Sequence, residues 1–109
     1  MKIAIATMDH RASTEAGLAT LGISAWVDAI VCADDGLPLK PAPDMVWAAC
    51  RAVDVSPLNT VVVGDSITDM RMGRSAGAGL NVGVLSGVTS EELIALYADV
   101  LIADVSELI

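Results

Sequence analysis

Five short runs of small, branched, apolar residues restrict the fold of this chain more than any other feature. They are Lys2–Ala6, Ala29–Ala33, Thr60–Val63, Gly79–Val84 and Asp99–Ala103. Each is too short for a buried helix and too continuously apolar for a strand with one face in water, so each reads as a strand covered on both faces. The stretches between them carry helix signals. Ser13 can cap a helix through Leu21 that Gly22 stops, and Asp44, after Pro43, can cap Met45–Val53. Thr68–Ala78 has a helical pattern weakened by Gly73 and Gly77, and Thr89 with Glu92 fits a capping box for Ser90–Tyr97. Leu108 and Ile109 can begin a last turn. Strand and helix alternate with few residues to spare. That pattern predicts an α/β fold: a three-layer, doubly wound, Rossmann-like parallel sheet of about five strands. A length of 109 residues suits one domain.

Composition says what fills such a core and which partners it excludes. Hydrophobic residues make up 54% of the chain, yet there is no Phe and aromatic residues are only 3%. The core must therefore be built from Val, Ile, Leu and Ala, which suits strands buried on both faces. The net charge is −8, and the six Lys and Arg are scattered. A nucleic-acid surface needs clustered cations to displace counterions from phosphates, so that class is excluded, and an acidic surface disfavours anionic membranes. No apolar run approaches the roughly 18–20 residues that span a bilayer. The apolar stretch at the N-terminus is too short for a signal peptide. The expectation is a cytoplasmic protein without membrane or nucleic-acid partners. Cys32 and Cys50 lack the spacing of a metal or redox motif and read as buried thiols.

Three segments carry chemistry. In Thr60-Val-Val-Val-Gly64-Asp65-Ser66-Ile-Thr-Asp69 an apolar strand delivers Asp65 to its carboxyl end, where open α/β sheets bind ligands. Asp69 follows one helical turn later, so both carboxylates can face one point. Hard oxygen ligands at a strand end suit Mg²⁺, which takes one or two carboxylates and completes its octahedron with water and phosphate. The same two acids could instead cap the helix that follows. In Leu39-Lys40-Pro41-Ala42-Pro43-Asp44 the prolines stiffen the chain around Lys40, which could present a point charge to a phosphate or lie solvated in a loop. In Ile3-Ala4-Ile5-Ala6-Thr7-Met8-Asp9 a strand ends in a hydroxyl. Thr7 O–H, with neighbouring backbone N–H groups such as that of Met8, could hold a phosphoryl oxygen or simply start a turn.

Thr7, then Lys40-Pro-Ala-Pro, then Gly64-Asp65-Ser66 with Asp69, in that order, resembles the haloacid dehalogenase superfamily, and within it the phosphatases similar to phosphoglycolate phosphatase. The likeness continues through Arg74-Ser75-Ala76-Gly77-Ala78-Gly79, Ala98-Asp99-Val100-Leu101-Ile102 and Glu107-Leu108, and so covers nearly the whole chain. It implies a Mg²⁺-dependent hydrolase acting on a small phosphorylated molecule. In that role Thr7 and Met8 would hold the phosphoryl group, Thr7 and Lys40 would serve catalysis, and Asp65 and Asp69 would serve the metal. Phosphoryl transfer depends mainly on positioning and charge neutralisation, which these groups supply.

The family's nucleophile belongs to an Asp-x-Asp motif on a strand between those ending at Thr7 and Asp65, and no such motif stands here. The likeness thus implies a truncated core domain, with no cap and no activity as an isolated chain. Thr7-Met8-Asp9 does not replace that motif, because the long step to Lys40 matches the family's second motif. His10 reads as solvated. Either the first and third strands pair directly, giving the expected order 2-1-3-4-5, or another chain supplies a strand. Half of a split enzyme and a non-catalytic, flavodoxin-like Mg²⁺ or phosphate module are the other functional readings. The apolar defect left by a missing strand predicts a homodimer.

Overall fold

Each apolar run carries a strand; four are shorter than their runs, and the third is shifted one residue on, to end at Gly64. The structure, a computed structural model, describes residues 1–85 and 90–108. Its strands are β1 (Ala4–Ala6), β2 (Ala29–Val31), β3 (Val61–Gly64), β4 (Leu80–Val84) and β5 (Val100–Ile102). Its helices are α1 (Arg11–Leu21), α2 (Asp44–Val53), α3 (Ile67–Ala76) and α4 (Glu91–Ala95). All pairings are parallel: Ala4 to Ala29 through Ala6 to Val31, Val61 to Leu80 through Gly64 to Gly83, and Val82 to Val100 through Val84 to Ile102. This is the expected α/β alternation.

The strand order departs from expectation at one place. β1 pairs with β2, and β3-β4-β5 form a separate sheet, so the predicted direct pairing of β1 with β3 is absent. The physical reason lies in the helix layer. α2 packs on β1 and β2 and also against α3, which itself covers β3 and β4. Once both half-sheets are seated under that layer, closing β1 onto β3 would require sliding one half under α2. Coverage also differs from expectation. Val61 and Val63 are 53% and 40% exposed while Val62 is partly buried, so β3 is covered on one face only.

The core sits under α2. Met45, Val46 and Cys50 of that helix are buried against Val31 of β2 and Met72 and Ala76 of α3, with Ala6 and Val62 packed at the margin. Each fully buried Met or Val of this group contributes roughly 1.5–3 kcal/mol on burial. Trp47 Nε1–H donates to the Ala76 carbonyl at 3.1 Å, fastening α2 to the end of α3. Cys32 and Cys50 are buried free thiols, as expected. The Cα radius of gyration of 13.2 Å is that of an ordinary domain of this length, about 13 Å, despite the divided sheet. No helix among the described residues is long and apolar enough to cross a membrane.

Helix ends refine the sequence reading. α1 starts at Arg11, not after Ser13, because a distant carboxylate takes the capping role: Arg11 N–H donates to Asp34 at 2.9 Å. α2 includes Asp44 and is entered from Pro43. Ser90 caps α4, accepting Leu93 N–H; the expected cap Thr89 and the terminal Ile109 lie outside the described residues. Gly73, which weakens α3 by propensity, stands where a Cβ would collide with the Asn81 carboxamide and come within 3.1 Å of Val62 Cβ.

Two outcomes follow for stability. Gly-to-Ala in a helix ordinarily stabilises by about 1 kcal/mol. Gly73→Ala should instead destabilise by about 1–3 kcal/mol through overpacking, measured by urea unfolding. The second concerns Asp35, whose carboxyl is held below the usual carboxylate range, first by the N–H of Cys32 and then by Arg11. A lowered native value contributes stability above the ordinary carboxylate range, lost as pH falls through that lowered value. Acid unfolding of Asp35→Asn should lack that part of the pH dependence, and a profile parallel to wild type would contradict it.

Candidate functional site

Gly64 ends β3, and the chain turns at once into α3. Asp65 is exposed at the turn, and Ser66 caps the helix by accepting Asp69 N–H at 3.2 Å. Capping is therefore the work of Ser66, which removes it as the explanation for the two acids. Asp69, in the first turn, is engaged on both oxygens: Ser66 Oγ donates to Oδ2 at 2.9 Å, and Lys40 Nζ donates to Oδ1 at 2.7 Å. The two charged side chains are only 12% and 14% exposed. Lys40 reaches Asp69 from the segment between β2 and α2, where its bond to Pro41 is cis.

The ion pair thus joins the two halves of the molecule. Such a bridge, mostly withdrawn from water, depends on the Ser66 bond to satisfy the remaining carboxylate oxygen. Gly64 is what allows the approach. A Cβ there would run into Asp69, with the carboxylate carbon at 2.6 Å.

Lys40, Asp65 and Asp69 line one cavity of about 1190 Å³ between β1 and β3. Thr7 stands at the carboxyl end of β1, one residue beyond the cavity-lining Ala6, and is not itself in the lining. Its N–H donates to the Val31 carbonyl at 2.9 Å and its hydroxyl accepts Asp9 N–H at 3.1 Å, which leaves the O–H able to donate. Met8 is 47% exposed and also outside the lining. Three of the five predicted positions are therefore gathered, and two flank the gathering.

The donor set has one chemical character. Among the described residues no three of His, Cys, Asp and Glu cluster as a metal cage. Asp65, a hard oxygen donor at the cavity edge, has no hydrogen-bond partner for its side chain among the described residues. That fits a cation needing one or two carboxylates and otherwise water, and it does not fit a tetrahedral zinc site. Sequence reasoning assigned no role to Ser66 or Gly64. A Ser before an apolar helical run is a capping signal, so Ser66 was findable; the close approach at Gly64 shows only in three dimensions.

The Lys40–Asp69 pair gives a test. Lys40→Met and Asp69→Asn should each destabilise by about 1–3 kcal/mol, and their double-mutant cycle should show coupling of about 1 kcal/mol or more. Additive losses in denaturant unfolding would mean that the two groups do not act as a unit.

Comparison with known proteins sharpens the picture. A family described as a hydrolase, haloacid dehalogenase-like hydrolase, matches residues 1–77. The plasmid phosphoglycolate phosphatase of Cupriavidus necator is 34% identical over 76 residues, 70% of this chain and 33% of that protein. A haloacid dehalogenase-like hydrolase from Bacteroides fragilis superposes with a TM-score of 0.92 at 27% identity, covering 99% of this chain and 51% of that one. CbbY from Rhodobacter sphaeroides, solved in complex with phosphate, gives 0.86 at 27% identity, covering 99% and 48%. The chain spans about a third of the length of the first curated relatives and about half of these structures.

Proposed function

The chain belongs to the haloacid dehalogenase-like hydrolases, and on that premise we propose that residues 1–109 supply the charge-neutralising half of a Mg²⁺-dependent phosphomonoester phosphatase site. The observation that carries this reading is the Lys40–Asp69 pair beside Asp65 at one cavity edge. Asp69 is a positioning residue: it fixes the Lys40 ammonium, whose other N–H donors can meet a phosphoryl oxygen. Thr7 O–H, one residue beyond the cavity lining, is a further donor to such an oxygen, with the Met8 backbone N–H beside it. Asp65 would hold Mg²⁺, which neutralises phosphoryl charge when bound. Asp69 would support that site from behind through its engaged carboxylate.

None of these groups is an attacking carboxylate. Thr7 and Lys40 stabilise charge, Asp65 holds the cation, and Asp69 is committed to Lys40 and Ser66. Covalent phosphoryl transfer needs an oxygen nucleophile in line with phosphorus. The reading therefore has these residues binding without turning over a phosphomonoester on their own, the nucleophile coming from elsewhere.

One experiment addresses both halves of the reading. Mg²⁺ is titrated into the purified chain and followed by amide NMR shifts, in wild type and Asp65→Asn, with a p-nitrophenyl phosphate assay on the same samples. Weak, saturable shifts near Asp65, lost in Asp65→Asn, and no turnover are expected. Identical shifts in both proteins overturn the metal assignment. Turnover that survives purification and disappears in Lys40→Ala overturns the assignment of the nucleophile to another segment, and Asp9 becomes the residue to substitute next.

A further inference from the structure

Helix α1 begins without a cap of its own. His10, the residue before it, makes no side-chain capping bond, and the first turn holds no acid. The help comes from the turn Ala33–Asp35, which follows β2. Asp34 accepts the Arg11 N–H at 2.9 Å. Asp35 takes the Arg11 guanidinium: one Nη donates to both carboxylate oxygens, at 2.8 and 3.0 Å, and also to the Ile30 carbonyl at 2.9 Å. Asp35 is itself fixed to the end of β2, since its Oδ2 accepts Cys32 N–H at 2.8 Å. The Ala33 N–H donates to the Asp9 carbonyl at 3.0 Å. Three neighbouring residues of one short turn thus hold the first residue of α1 by backbone and side chain, and the loop before it by a carbonyl.

That loop carries Thr7 and Met8. The Thr7 N–H is tied to Val31, and its hydroxyl accepts Asp9 N–H, so Asp9 is held from one side by Thr7 and from the other by Ala33. Met8 is enclosed between these fixed points. The same turn leads directly into the segment that carries Lys40. One turn therefore governs the placement of Thr7, through hydrogen bonds, and of Lys40, through the chain. As a surface pair alone, Arg11 and Asp35 would add little, with side chains 40% and 24% exposed. Their bonds to the Ile30 carbonyl and the Cys32 N–H make the pair a brace between α1 and β2. The Nη that makes these bonds shares its two protons among three acceptors, which leaves none for an anion.

We propose that Arg11 and Asp35 are positioning residues for the phosphoryl site: their brace fixes the Thr7 O–H and the Met8 N–H relative to the Lys40 ammonium. The proposal rests on the phosphatase reading and adds to it the residues that keep its anion donors in register.

The test measures binding of inorganic phosphate to the full chain at saturating Mg²⁺, read from the amide NMR shifts of Thr7 and Met8. The variants are Arg11→Met, Asp35→Asn and Gly73→Ala. The first two change the net charge in opposite directions. Long-range electrostatics would therefore weaken phosphate binding in Arg11→Met and strengthen it in Asp35→Asn. Loss of a brace weakens it in both, by about fivefold or more, because donors must be held to within about 0.5 Å. Mg²⁺-induced shifts near Asp65 should stay as in wild type. Gly73→Ala, destabilised at a distant contact, should keep the wild-type affinity. If Arg11→Met does not fold, Arg11→Lys takes its place: it keeps the charge without the planar fork and should also weaken binding. Opposite effects in the Arg11 and Asp35 variants, unchanged affinity in both, or an equal loss in Gly73→Ala overturns the brace. A wild-type chain that binds Mg²⁺ but shows no phosphate shifts at Thr7 and Met8 overturns the phosphatase reading itself, and the brace falls with it.

Discussion

The structure depends on one packing event: a single helix serves two half-sheets that do not touch edge to edge. α2 buries Met45, Val46 and Cys50 against residues from both sides, with Val31 from one sheet and Met72 and Ala76 from the helix that covers the other. Without that layer, the two-stranded sheet would be too small to hold itself in water. Everything at the candidate site inherits its geometry from this arrangement. The segment that brings Lys40 leads directly into α2, and Asp69 lies on α3, which α2 packs against.

The ion pair completes the frame from above. A surface pair of Lys and Asp would contribute little. This one is 2.7 Å long, with both side chains mostly shielded, and the second carboxylate oxygen bonds to Ser66. Its role in the fold and its role in the site are the same interaction. Fixing Lys40 against Asp69 closes the molecule at that end and also sets where the ammonium can meet a phosphoryl oxygen in the proposed reaction.

The elements were legible because each is specified locally. Every predicted strand and helix has its counterpart, since apolar runs and capping residues act within a few positions of themselves. What was not legible depends on chain segments far apart. Asp34 caps α1 from across the fold, so Ser13 was a reasonable but wrong start. Gly73 reads as a weakness by propensity, yet it is the position where α3 and Asn81 approach. The pairing of β1 with β3 followed from assuming that every edge finds a partner within the chain. Spacing placed Asp65 and Asp69 together at the end of β3, but the arrival of Lys40 beside them was legible only through family resemblance. Their spacing in sequence says nothing of the salt bridge that occupies Asp69, and Thr7 and Met8 matched the pattern without entering the cavity lining.

Charge decides what the proposed reaction further requires of this site. Lys40 is matched by Asp69, which leaves Asp65 as an unbalanced negative charge in a chain of net charge −8. A phosphomonoester dianion near Asp65 would meet repulsion of up to about 4 kcal/mol per unit charge pair at 4 Å near the protein surface, against about 1 in bulk water. Lys40, already satisfied by Asp69, cannot reverse that sign. A divalent cation can, because it converts Asp65 from an obstacle into an anchor. In the proposed function, phosphate affinity should therefore be conditional on the cation and not merely improved by it. The acidic composition that argued against nucleic acid thus bears on the proposed site as well: there it would oppose an anion except where a metal inverts the local field.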